Sequence, residues 1–500
     1  MRTFSLLCLA LMITSSLFGD EKVYKNNPIL LPVQNDPTVS FRIWFKTGAQ
    51  NDPAGKEGLA EITAQMLTDA STTKNRYEDI LDKLFPLASS YGASSDMEMT
   101  VITGRTHKDN LTEYYPLLMD AILHPAFKQE DLDRIKSQVL NYLENQLRYS
   151  SDEELGKAVL YNSIFRGTPY GHLGEGTVEA IKSITLDDVK AFYAKNFTRN
   201  NVVVGLGGGF DGVLVDRISG DLKGLPEGAP VHPAPPQPQP IKGRSIVLVE
   251  KDAQSTAISM GFPIDLVRGT REWYALALAN SWLGEHRNSS SHLYQVIREA
   301  RGLNYGDYSY IEHFPNGGRL QMPPQNAARR KQIFEVWIRP VPNEARHFAL
   351  RAALREFKNL VDNGMTESAF QLTRGFLHKY VLHYAPTTTE RLGYAIDDAF
   401  YGIQGSHLET FHKLMKEITL EEVNAAIKKH WQYDNMQIAV ITKDAKSLRD
   451  ALVNDAPSPI VYPSPKPESI VEEDKAISMF PLGIKADAIT IVPVEELFKK

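Results

Sequence analysis

Two stretches of the sequence repeat one another. "ITLDDVKAFYAKNFTRNNVVV", beginning at Ile184, aligns without a gap on "ITLEEVNAAIKKHWQYDNMQI", beginning at Ile418, so that Phe197 meets Trp431 and Asn201 meets Asn435. A register held through helix, turn and strand signals a chain built from two similar halves. Each copy specifies its own local structure. Thr185 or Thr419 precedes a carboxylate by three residues, Asp188 or Glu422, which is the spacing of a reciprocal helix cap. Val189, Phe192 and Tyr193 then fall on one helix face, and an Asn-containing turn leads into "NVVVGLG" or "MQIAVIT", apolar runs that predict a buried strand. Upstream, "KQEDLDRIKSQVLNYLENQL" and "MTESAFQLTRGFLHKYVLHY" also occupy similar places in the two halves.

Proline marks the division between them. Residues 225–244, "LPEGAPVHPAPPQPQPIKGR", are too proline-dense for helix or central strand and predict a stiff, extended connector. The expected layout is a first half at 20–224, a second at 245–455 and an extended, proline-rich tail at 456–500 laid over the second half. Strands such as "SFRIWFKTGA" alternate with long helices, so the expected fold class is α+β, each half an antiparallel sheet covered by helices.

The chain opens with Arg2, the apolar "FSLLCLALMITSSLFG" and the polar "DEKVYKNN". That order predicts a secretory signal peptide at 1–19 and a periplasmic or secreted product, with an uncleaved anchor as the alternative. The one cysteine, Cys8, lies within the leader, so cleavage leaves no thiol for disulfides, catalysis or metal. A net charge of −6 over 500 residues argues for neither a nucleic-acid partner nor an anionic membrane surface. After cleavage no segment is apolar and long enough to span a bilayer.

In "GLAEITAQML" the apolar positions Leu59, Ile62, Met66 and Leu67 fall at helical spacing, while Glu61 and Gln65, four apart, share another face. With "FRGTPYGHLGEG" and "LYQVIREARGLNYGDYSY" further on, this stretch resembles the insulinase/pitrilysin family of zinc peptidases. There a Gly-Leu-Ala-His opening begins an inverted His-x-x-Glu-His motif, two imidazoles hold zinc, and the glutamate activates the metal-bound water. Carried over residue by residue, the first histidine falls on Glu61, the glutamate on Ala64 and the second histidine on Gln65. All three are replaced, and the helix keeps its apolar face alone. The third zinc ligand of the family, a glutamate, matches Glu144; by itself it makes no site.

The second half departs less from the family. Arg298 and Tyr305 match an arginine and a tyrosine that bind substrate and steady the reacting carbonyl, a guanidinium suiting a carbonyl or carboxylate and a phenol a developing oxyanion. Read without the resemblance, they are a surface arginine and a core-edge tyrosine. Locally, a helix is expected to stop at Gly302 and a strand to begin at Leu303. The glycine-rich "GLGGGFDG", Gly205–Gly212, reads as a strand-end turn, and His286 and His292, six apart, do not have zinc spacing.

The resemblance implies two α+β halves facing each other as a clam-shell around a chamber. It also implies a subunit with no cofactor of its own, completing the active site of a related, zinc-bearing peptidase subunit with Arg298 and Tyr305 on a peptide substrate. Two alternatives remain open: a homodimer that binds peptides without cleaving them, and an autonomous enzyme with an unrecognised site.

Overall fold

The computed structural model describes residues 27–228, 230–315 and 320–500. The signal peptide expected at 1–19 lies outside them. Two sheets organise the molecule. In the first half, β1 (Ile29–Pro32), β2 (Thr38–Phe45), β3 (Ser90–Ser95), β4 (Thr100–His107) and β5 (Val202–Gly208) take the order β1-β5-β2-β4-β3. In the second, β6 (Arg244–Glu250), β7 (Ser255–Ile264), β8 (Asp307–Tyr310), β9 (Gln332–Pro342), β10 (Met436–Thr442) and β11 (Ile489–Pro493) take the order β11-β6-β10-β7-β9-β8.

The duplication read in the sequence reappears in this topology. β5 runs antiparallel to β2 and parallel to β1, and β10 runs antiparallel to β7 and parallel to β6. The sheets are therefore mixed rather than purely antiparallel, because each repeat unit returns its last strand alongside its first. Both repeat helices, Leu186–Asn196 and Leu420–His430, begin with the expected cap. The Thr185 hydroxyl accepts from Asp188 N at 3.3 Å while the Asp188 carboxylate accepts from Thr185 N at 2.9 Å, and Thr419 with Glu422 repeats this at 3.3 and 2.8 Å.

The tail departs from expectation. Residues Glu468–Ser478 form a helix and Ile489–Pro493 add β11 in parallel beside β6. Pro467 sits at the helix start, where its missing N–H costs nothing, and Arg301 ties the helix down by donating to Asp474 at 2.8 Å and Glu473 at 2.7 Å. Beyond β11 the chain crosses to the first half: Phe498 O and Lys499 O each accept from the start of the Val178–Ser183 helix at 2.9 Å, and Leu497 and Phe498 join the first half's core.

The halves are pressed together by exchanged elements. The Asp152–Ile164 helix of the first half packs on β7 and β10, and the Thr388–Tyr401 helix of the second lies across β2 and β5. The glycine run explains the second contact. Gly205, Gly207 and Gly208 lie within β5 rather than in a turn, and a Cβ on Gly207 would stand 3.1 Å from the Thr388 methyl group, one on Gly205 3.0 Å from Ile396 Cδ1. Bare backbone lets the helix approach the strand. Side-chain bonds seal it: Ser40 to Thr389 at 2.8 Å and Arg42 to Asn326 at 2.8 Å. The connector carries no helix or strand at 230–243 and is held to both halves, Val231 O by Asn51 at 2.9 Å and Pro233 O by Arg330 at 2.6 Å.

Candidate functional site

The Leu59–Thr68 helix starts from Gly58, whose φ of 98° favours glycine, and Asp52 accepts from Gly58 N at 2.7 Å and Ala60 N at 2.8 Å, satisfying its first turn. Leu59, Ile62, Met66 and Leu67 are buried in the core, as their spacing predicts, and Ala64 is 0% exposed. On the remaining face the Gln65 amide donates to Glu61 Oε1 at 2.6 Å and Ser95 N donates to Oε2 at 3.2 Å. Burial pushes the Glu61 carboxyl up to about 7, and the charge of Glu175 pushes the same way.

Glu144 lies in the Tyr142–Gln146 π-helical turn, partly exposed, with its carboxylate 3.4 Å from Lys182 Nζ. Zinc does not fit these residues. Glu61 and Gln65 satisfy one another, Ala64 offers no donor atom, Glu144 pairs with a lysine, and no group of three or more His, Cys, Asp or Glu side chains among the described residues is placed to hold a metal.

Beside this helix, where the halves meet, is a cavity of about 420 Å³. The first half contributes Ser95, Asp96, Tyr142, His172 and Glu175, together with Glu154, Lys157 and Tyr161 from the Asp152–Ile164 helix; the second contributes His313, Phe314, Gln325, Arg329 and Glu335. Its cations are engaged. Arg329 binds Asp96 at 2.6 Å, and Lys157 binds Glu154 at 2.5 Å with its ammonium 3.5 Å from the Trp337 ring centroid. Burial pushes Glu335 up to about 8, raises Glu175, and drives the His313 imidazole well down. Next to it, Glu98 is held by Tyr170 and by Arg330, whose Nε is 2.5 Å away.

Arg298 and Tyr305 lie apart from the cavity. Arg298 sits in a π-helical turn, Tyr294–Glu299, with Nη1 3.3 Å from Glu299 and its guanidinium over the Tyr294 ring. Tyr305 is 78% exposed. The strand expected from Leu303 begins only at Asp307, because Gly302 and Gly306 both take positive φ and Asn304 pins the turn by donating to Asp307 at 2.8 Å and to Arg339 O at 3.1 Å. His286 and His292 bond Tyr310 and Glu356 respectively and share no ligand geometry.

The resemblance implied a chamber between the halves, but no local signal identified the side chains that line it. Glu175 stood within the quoted "GHLGEG"; its relation to Arg329 or Glu335, more than 150 residues away, had no local signal.

The comparisons agree with this geometry. The family model described as Insulinase (Peptidase family M16) matches residues 29–176, and the one described as Peptidase M16 inactive domain matches 183–375. A protein of Helicobacter pylori named non-peptidase homolog YmxG is 23% identical over 436 residues, covering 85% of this chain and 92% of that protein. An uncharacterized zinc protease of Mycobacterium bovis is 22% identical over 78% of this chain and 85% of its own length. Among solved structures, a peptidase M16 inactive domain from Pseudomonas fluorescens superposes with a TM-score of 0.72 at 24% identity, over 83% of this chain and 94% of that one. A protease from Helicobacter pylori superposes at 0.68 and 16% identity, over 83% and 96%.

Proposed function

Since the chain belongs to the insulinase family of peptidases and lacks that family's two zinc-binding histidines and catalytic glutamate, we propose that it is a non-catalytic subunit of an exported peptidase, periplasmic or secreted. In this proposal Arg298 and Tyr305 complete the active site of a zinc-bearing relative. The observation that carries the proposal is where the pair lies: on the second half, Tyr305 exposed and Arg298 half-buried, with neither among the residues lining the chain's own cavity. A guanidinium and a phenol outside that cavity can serve a reacting carbonyl that another chain presents. There Arg298 binds and orients peptide, and the Tyr305 hydroxyl donates to the carbonyl oxygen as charge develops.

The test is purification from native cells, identification of what stays bound, and a chelator-sensitive peptidase assay on the eluate. Arg298→Ala is expected to leave the complex assembled while lowering turnover about ten- to a hundredfold. Unchanged kinetics in a verified complex would rule the role out. The cavity between the halves favours a second reading, in which the chain takes up peptide without cleavage, as a homodimer. A self-associated protein with no peptidase in the eluate is its signature.

A further inference from the structure

Five of the eleven residues at 457–467 are proline, and no helix or strand forms at 456–467. Proline fixes φ and removes the N–H, so this part of the tail is a stiff strap that neither coils nor pairs. One side of it is fastened inward. Ser458 N donates to Ser478 O at 3.1 Å, Arg351 donates to Ser458 Oγ at 2.9 Å, the Tyr462 hydroxyl donates to Asp474 Oδ2 at 2.8 Å, and Ile460 packs against the second half's core. Val461, between these two inward residues, is 91% exposed. Between the strap and the Glu468–Ser478 helix runs an open groove of about 590 Å³, with Pro459, Val461, Pro463 and Pro465 on one side and Val471 on the other. A single exposed valine is ordinary; a run of apolar residues held rigidly along a groove marks a contact surface.

We infer that this groove docks the zinc-bearing relative whose active site Arg298 and Tyr305 complete, and that it seats an uncharged, apolar segment of that chain. The inference rests on the subunit reading given above. Two observations choose the occupant. The first is continuity. Lys466 Nζ donates to Ala300 O at 2.8 Å, two residues after Arg298 and five before Tyr305, and Arg301 holds the helix wall of the groove through Glu473 and Asp474. Groove and pair are thereby fastened to one segment, and a chain that presents a carbonyl to the pair lies beside the strap. The second is charge. Three charged side chains line the groove, and each has a partner within the chain: Lys466 that carbonyl, Asp474 both Arg301 and Tyr462, and Lys475 the carboxylate of Glu472 at 2.5 Å. Nothing there is left over for a chain end or an acidic segment, whereas the prolines and valines offer apolar contact. Because the strap is stiff before anything binds, little conformational freedom is lost on docking.

The experiment is affinity purification of the full chain from its native cells, with the co-purifying chain that carries an intact His-x-x-Glu-His motif identified by mass spectrometry and quantified against the bait. Val461→Asp and Val471→Asp each put a charge into the groove and should lower that ratio about tenfold or more, the chelator-sensitive peptidase activity of the eluate falling in step. Val213→Asp, at a residue 74% exposed on the Gly212–Asp221 helix of the first half, should leave the ratio at the parent's value, and so should Arg298→Ala, which acts on turnover. Thermal melts of the purified variants, expected to match the parent because Val461 stands in solvent, separate lost docking from lost folding. Parental retention of the relative by both groove variants overturns the inference and leaves the subunit reading standing. A parent chain that retains no zinc-bearing relative overturns both. Retention of further copies of this chain in the relative's place, abolished by Val461→Asp, overturns the occupant named here and makes the groove a self-association surface.

Discussion

At the scale of single residues, the buried carboxylates give the most direct prediction. Glu335 is held protonated up to about 8 by burial, against an ordinary value of 4.5. The folded state therefore binds more protons than the unfolded one between those values, and Glu335 lowers stability progressively as pH rises through that window. Glu335→Gln removes the penalty. Its melting temperature should match the parent at pH 4.5 and exceed it at pH 8.5, with a gain of about 1–2 kcal/mol; thermal melts across pH measure it, and a gain independent of pH would contradict the cause given. Glu61 and Gln65 were legible because a helix repeats every 3.6 residues, so their shared face follows from sequence distance. Nothing comparable relates Glu335 to Glu175: one is in β9, the other in a loop of the first half, and only the packed halves bring them to one cavity.

At the scale of elements, local chemistry is strongest where the chain repeats itself. Thr185→Ala and Thr419→Ala each delete one side of a reciprocal cap and should each cost about 1 kcal/mol in denaturant unfolding. The two lie on different helices in different sheet systems, so the double variant should cost the sum; a clear excess would mean the repeats are coupled beyond the packing described. Elements that depend on partners were harder to read. The Glu468–Ser478 helix hides among prolines and is docked by Arg301, distant in sequence. The glycines of β5 resemble a turn until the Thr388–Tyr401 helix is seen to lie on them.

For the molecule as a whole, the ion pairs between halves and the exchanged helices predict one cooperative unit instead of two independent ones. Arg329 with Asp96, Arg330 with Glu98 and Arg339 with Glu153 all cross the junction. Residues 497–499 strengthen it by lying in the first half. Replacing Leu497 and Phe498 together with serine removes two buried side chains and should cost about 3 kcal/mol or more. Calorimetry should then show the first half melting earlier; an unchanged single transition would mean that this crossing contributes little. The crossing also sets an order in time. The first half, made earliest, has a core that includes Val494, Leu497 and Phe498, so it stays unfinished until nearly five hundred residues have been synthesised. The chain is thereby kept from completing its fold while it is still being made, and a prematurely ended one is left with an open core in its first half.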